Sequence, residues 1–341
     1  MARSKRAATI WLAAAAGMAW AAPPAGDVTC ATCHPAEARS QPKTAMGIGI
    51  ELPPDQETLK AHPKLTFEKY GYTYTIERKG GTSMYTVRDG AGELTLPIRY
   101  AFGVHMQTYV FDYRGRYYES MVSYYPKIGG LAVTLGDEQR RPHNLVEAMG
   151  RETPNSEITA CFGCHGTDGV SRGRLTLDSL KPGLTCEHCH AGADAHLQGL
   201  SQNKPAPPPA KLGAMAAEDM SNFCGQCHRT WEFIVRLRQF GEMNVRFQPY
   251  RLANSKCFLG DDKRISCTAC HNPHADLATG SSSYDRACLA CHTSKPAQKV
   301  CPTSQTNCVT CHMPKVERAE GHAVFSDHQI RIVRPGDPYP N

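Results

Sequence analysis

The chain has 341 residues and a formal charge of +6, with 16 cysteines, 24 prolines and 29 glycines but only 3 tryptophans and 10 phenylalanines. So many cysteines exclude an ordinary reduced cytosolic protein, and their spread along the whole length excludes a small disulfide scaffold. The charge supports no nucleic-acid partner, because Arg3, Lys5 and Arg6 fall in an expected leader, and the few large aromatics imply that something besides side chains fills the interior.

Residues 1–21 read as a signal peptide. A basic start is followed by the apolar run Ala7–Ala22, with an A-x-A site at Ala19–Ala21. The run is shorter than the ~20 residues of a membrane span, although an uncleaved anchor is the alternative. Export to the periplasm or beyond is expected, with no stable membrane span after removal of the leader.

Residues 22–63 carry Cys30-x-x-Cys33-His34. The same motif recurs as Cys161/Cys164/His165, Cys186/Cys189/His190, Cys224/Cys227/His228, Cys267/Cys270/His271, Cys288/Cys291/His292 and Cys308/Cys311/His312. It is the attachment signature of haem c. Two thiols add to the two vinyl groups of one porphyrin, and the adjoining histidine ligates its iron. Seven motifs predict seven haems. Zinc bound by paired Cys-x-x-Cys units gives no reason for a histidine after every second cysteine.

Residues 64–135 contain no motif. Tyr72–Glu77 alternates apolar and polar, and Lys79-Gly80-Gly81 turns into a second strand over Ser83–Arg88. Glu93–Tyr100, Thr108–Tyr113 and Arg116–Tyr125 continue what reads as one antiparallel meander, with its tyrosines packed on the sheet face. Residues 136–333 hold six motifs, about one per 25 residues. Porphyrin is expected to dominate that core, wrapped in short helices and loops. Gln202–Lys211 reads as a proline-rich connector, Phe233–Phe240 as a helix, and 334–341 as an extended tail. The predicted fold is therefore mainly α and irregular, with an N-terminal antiparallel β-rich segment.

Outside the motif-ending positions, His62, His105, His143, His196, His274, His322 and His328 are candidate distal ligands, one for each haem. His188 lies between two motif cysteines and is expected at the surface. Met46 competes with His62 for the first haem, or that iron stays open. Cys257 and Cys301 are left over. In an exported protein they read as a disulfide, the alternative being two separate buried thiols.

Three strings carry a resemblance: Gly183–His190 through His196, Ser266–His274, and Cys308–Lys315 with Asp327-His328. Over about residues 155–335 the chain resembles the superfamily of tetrahaem cytochrome c, pentahaem nitrite reductase and octahaem hydroxylamine oxidoreductase. The resemblance implies that His196, His274 and His328 ligate neighbouring haems. It departs from the nitrite reductases, whose catalytic haem has a Lys in place of the motif His, and from the hydroxylamine enzymes in motif count.

The expectation is an electron-transfer protein serving redox partners such as cytochromes or quinol-linked donors, possible as an oligomer. One alternative is an oxidoreductase acting on a small nitrogen or sulfur compound at one open haem. The other is a subunit of an electron-conducting assembly. An open iron position separates the first alternative from the rest.

Overall fold

The computed structural model describes residues 29–209, 211–292, 301–318, 321–334 and 336–340. The expected leader lies outside them. The described chain begins with α1 (Cys30–Cys33) and α2 (Pro35–Ser40), then strand β1 (Ile50–Glu51) and helix α3 (Glu57–Ala61). Strands β2 (Lys64–Lys69), β3 (Tyr72–Lys79), β4 (Thr82–Arg88) and β5 (Glu93–Pro97) form an antiparallel meander in that order. Tyr70 and Gly71 both take positive φ between β2 and β3, the two-residue turn whose twist suits a hairpin.

After β6 (Tyr100–Phe102), β7 (Thr108–Tyr113) and β8 (Arg116–Ser120) come β9 (Val122–Tyr125), β10 (Gly130–Val133), α4 (Leu145–Met149) and β11 (Gly150–Glu152). A second antiparallel sheet has the order β1-β6-β7-β8-β11, and β9 pairs with β10 as a ribbon. The expected single meander over 64–135 is thus two sheets and a ribbon, and β1 and β11 join from outside those bounds.

Alternation decides what these strands bury. Tyr72, Tyr74 and Ile76 of β3 and Tyr85 and Val87 of β4 turn into one core, which Tyr109 and Phe111 of β7 enter from the second sheet. Val110, between them, faces the other way and packs in a second cluster with Ile50, Phe102, Ile158 and Phe162. β7 is therefore buried on both faces. The second cluster fastens the sheet to α5 (Asn155–His165), which carries a motif.

Beyond α5 lie β12 (Gly166–Thr167), β13 (Val170–Ser171), β14 (Arg174–Leu175), β15 (Lys181–Pro182), α6 (Cys186–Cys189) and α7 (Ala193–Ser201). Then follow α8 (Ala217–His228), α9 (Trp231–Leu237), α10 (Gln248–Ala253), α11 (Cys267–Cys270), α12 (Asp285–His292), α13 (Cys308–His312), β16 (Lys315–Arg318) and β17 (Ala323–Ser326). Three antiparallel ribbons, β12-β15, β13-β14 and β16-β17, run through this segment.

The expected mainly α and irregular fold is therefore corrected to a mixed α and β fold. The ribbons escaped notice because their strands have only two to four residues, too short for alternation to register. Buried apolar side chains after Phe162 are sparse among the described residues: Leu184, Met220, Ile234, Val245, Tyr250 and Leu252 with two alanines. No described helix is long and apolar enough to cross a membrane.

Candidate metal centres

Every motif forms or ends a helix. In α1, α6 and α11 the two cysteines bound a single turn, so their thiols stand three residues apart on one face. Thr29, Thr185 and Ser266 precede these turns in extended backbone, residue types suited to the start of a helix. In each, the histidine amide donates to the first cysteine carbonyl, at 2.8 Å (His34), 2.8 Å (His190) and 2.9 Å (His271). One local construction, two thiols on a face with an imidazole just beyond, is thus built three times from the same sequence pattern.

Distant histidines meet two of these imidazoles. His274 faces His190 with ring centroids 6.1 Å apart and planes 6° apart. His328 faces His271 at 6.1 Å and 37°. A metal–imidazole bond is about 2.0 Å, so two rings sharing one metal from opposite sides have centroids about 6 Å apart. Both pairs fit axial ligation of a single iron. Among the described residues no three His, Cys, Asp or Glu side chains converge on one point. At the His190–His274 and His271–His328 pairs the side chains offer two nitrogen donors each, the number that a porphyrin iron requires of the protein.

Hydrogen bonds fix the tautomer of several rings. Nδ1 of His165 lies 2.8 Å from the Gly49 carbonyl, that of His312 2.9 Å from the Arg331 carbonyl, and that of His328 3.0 Å from the Ser326 carbonyl. A carbonyl only accepts, so Nδ1 carries the proton and Nε2 keeps its lone pair for a metal. Burial lowers the pKa of His165, His228 and His271 and brings His328 down to about 4. These imidazoles are held neutral, the ligating form. Gln248, beside His228, opposes that lowering without cancelling it. The Nδ1 of His196, on α7, is buried without a protein partner.

The motifs also lie near one another. Cys30 and Cys186, Cys164 and Cys227, Cys224 and Cys267, and Cys288 and Cys308 are near enough to shift one another's thiol pKa. Cys189 neighbours Cys224, and Cys270 neighbours Cys288, at longer range. The first motif thus adjoins the third, and the third leads through the fourth, fifth and sixth to the seventh. The second joins the fourth from the side.

Not every anchor is enclosed. Cys33, Cys270 and Cys311, the second cysteines of the first, fifth and seventh motifs, are exposed. Cys311 has the Thr310 hydroxyl 3.8 Å from its sulfur, while its motif partner Cys308 is half-buried against Cys288. The seventh motif therefore turns its first thiol toward the sixth and its second toward the surface.

Other candidates lie elsewhere. His62 is hydrogen-bonded through Nε2 to the Tyr124 hydroxyl at 2.7 Å, and His322 packs edge-on to Tyr125 at 5.1 Å. Both rest on β9. His105 and His143 are exposed on loops, as are His34 and His292 at their helix ends. Met46 is half-buried, and its carbonyl accepts from the Leu184 amide at 3.0 Å. His188 is half-buried, not at the surface, with its pKa lowered by burial.

The expected Cys257–Cys301 disulfide is corrected: both are free thiols. Cys257 sits near Cys288 and Cys291, and its pKa is raised by burial. The Cys301 thiol is held by the amides of Ser304 and Thr303. Sequence reasoning missed the carbonyl acceptors of Gly49, Arg331 and Ser326, which no side-chain pattern reveals. It also missed the buried Arg251–Asp327 pair, whose one visible signal is that Asp327 adjoins His328. No family model, curated protein or solved structure matches this chain.

Proposed function

We propose that this chain is an exported multihaem c-type cytochrome that transfers electrons through seven covalently bound haems. The observation that carries the reading is the pairing of His190 with His274 and of His271 with His328, each at 6.1 Å. Haem iron supplies reversible one-electron chemistry. The chain's own residues supply the rest. The cysteine pairs would anchor the cofactors, and facing imidazoles such as His271 and His328 would hold the iron between them. Neighbouring motifs whose thiols lie near one another would bring successive cofactors close along the series. Sparse apolar side chains after Phe162 leave an interior for porphyrin to fill. The partners are redox proteins docking where a cofactor edge reaches the surface.

A second reading, turnover of a small nitrogen or sulfur compound at one open iron, draws on His62, His105 and His143. The first is engaged by Tyr124 and the other two are exposed, so fewer histidines stand opposite a motif than there are motifs. Denaturing mass spectrometry and electron paramagnetic resonance (EPR) of the oxidised protein test both readings. The expected result is a polypeptide carrying seven haem masses, with low-spin signals from the His190–His274 and His271–His328 centres and no turnover at any iron. Six or fewer haems on fully matured protein refutes the count. A high-spin iron that turns over nitrite or hydroxylamine replaces the carrier with the enzyme.

A further inference from the structure

Arg251, on α10, is 0 % exposed and so is Asp327, between β17 and His328. The guanidinium donates through Nε to Asp327 Oδ1 at 2.8 Å and through a terminal nitrogen to Oδ2 at 2.8 Å, a fork that fixes the carboxylate in orientation as well as position. Its other terminal nitrogen donates to Asn244 Oδ1 at 3.3 Å and to the Pro340 carbonyl at 2.8 Å. The Tyr339 ring lies 4.5 Å from the guanidinium carbon, and the Tyr339 hydroxyl donates to Asn244 Oδ1 at 2.9 Å. Asp327 also accepts from Arg331 and from the Gln329 amide.

The next residue is the ring that faces His271. Its backbone is pinned from the same side: Ser255, two residues past α10, donates through its hydroxyl to the His328 carbonyl at 3.1 Å and accepts from the Ile330 amide at 2.8 Å. A buried ion pair is weak evidence for stability, since apolar residues of similar volume often serve as well or better. What such a pair supplies is geometry, and the geometry here belongs to His328.

We propose that Arg251 is a positioning residue: through Asp327 it sets His328 as the axial ligand opposite His271, and Tyr339 and Pro340 of the tail cap the same guanidinium. The proposal rests on the haem reading above. It makes the tail, expected only as an extended end, part of the support of one metal centre.

The test uses the full-length holoprotein. His328→Ala identifies, by its loss, the low-spin EPR signal that belongs to this centre. Arg251→Met is then expected to shift that signal or convert it to high spin, and to move one midpoint potential, with the other six centres unchanged. The paired variant Arg251→Met/Asp327→Leu removes both charges of the fully buried pair, leaving only the partly exposed Arg331 to turn to solvent, and serves where Arg251→Met alone does not fold; it is expected to show the same change. Tyr339→Ala is expected to shift the same signal by less. A folded paired variant with wild-type EPR and potentials, altered only in its urea midpoint, overturns the proposal and makes the pair structural. Loss of no low-spin signal in His328→Ala overturns the ligation itself, a separate and recognisable failure.

Discussion

His190 and His274 lie with ring centroids 6.1 Å apart and planes 6° apart, far from each other in sequence and nearly parallel in space. The relative orientation of two axial imidazoles governs the magnetic anisotropy of low-spin ferric haem. Near-parallel planes give a rhombic signal, and the 37° between His271 and His328 gives a different one. His274→Ala is expected to remove the rhombic component and add one high-spin iron, with haem content unchanged by mass. Retention of every low-spin signal in His274→Ala rules out this pairing.

Gly183 holds the approach to the third motif against the loop after the first. Its φ is +73°, and a Cβ there would meet the Gly47 carbonyl oxygen at 1.8 Å. Both the left-handed backbone and the missing side chain are required. Gly183→Ala is expected to destabilise the protein by about 2–4 kcal/mol, combining backbone strain with overpacking. The urea midpoint of the holoprotein measures it, and a loss under about 0.5 kcal/mol, the range of an ordinary surface change, contradicts the close approach.

Glu51 gives a pH test within the sheets. It is buried, accepting from Gln107 Nε2 at 2.6 Å and from the Glu57 amide at 3.0 Å. Burial raises its pKa, and these hydrogen bonds oppose that without cancelling it. A carboxyl whose folded pKa is raised contributes stability below its unfolded value of 4.5, and this is lost as pH rises through the folded value. Glu51→Gln removes that loss. Its stability relative to wild type is expected to grow as pH rises from about 4 toward neutrality and then level off. A difference that stays constant across that range shows that Glu51 is not the titrating group.

How far the sequence was legible follows from the range over which each signal acts. The cysteine motifs and the alternation of β3 and β4 are local, so both could be read directly, as could the turn at Arg114-Gly115, where both residues take positive φ. The split of Glu93–Tyr100 into β5 and β6 was not readable, because Ile98 is buried and keeps the apolar pattern running through the break. Nor does the motif say which of its thiols faces outward: Cys308 and Cys311 read alike, and only the packing of α13 on α12 separates them. The histidines were countable as candidates, but which imidazole each one faces depends on packing between separate helices. His62 shows the limit: its sequence suits a ligand, and its ring is taken by Tyr124. Arg251 was invisible because a fully buried arginine contradicts the usual expectation for its type.

The sixth and seventh motifs are joined by one carboxylate. Asp285 opens α12, and its two oxygens accept from the Asn307 amide at 2.7 Å and the Cys308 amide at 2.9 Å, at the start of α13. Those amides have no partner within their own helix, and a carboxylate is favoured there by the helix dipole as well. Its pKa is correspondingly lowered by the two amides. Since Cys288 and Cys308 are also near enough to shift each other's pKa, this cap sets the distance between two anchors. Asp285→Ala is expected to expose the Asn307 and Cys308 amides to faster hydrogen exchange and to broaden the signals of two centres, leaving the other five and the haem count intact. Asp285→Asn, which keeps one acceptor oxygen, is expected to fall between the variant and wild type. Unchanged exchange at both amides in Asp285→Ala shows that α13 is held by some other contact and that the coupling of the last two motifs does not pass through this carboxylate.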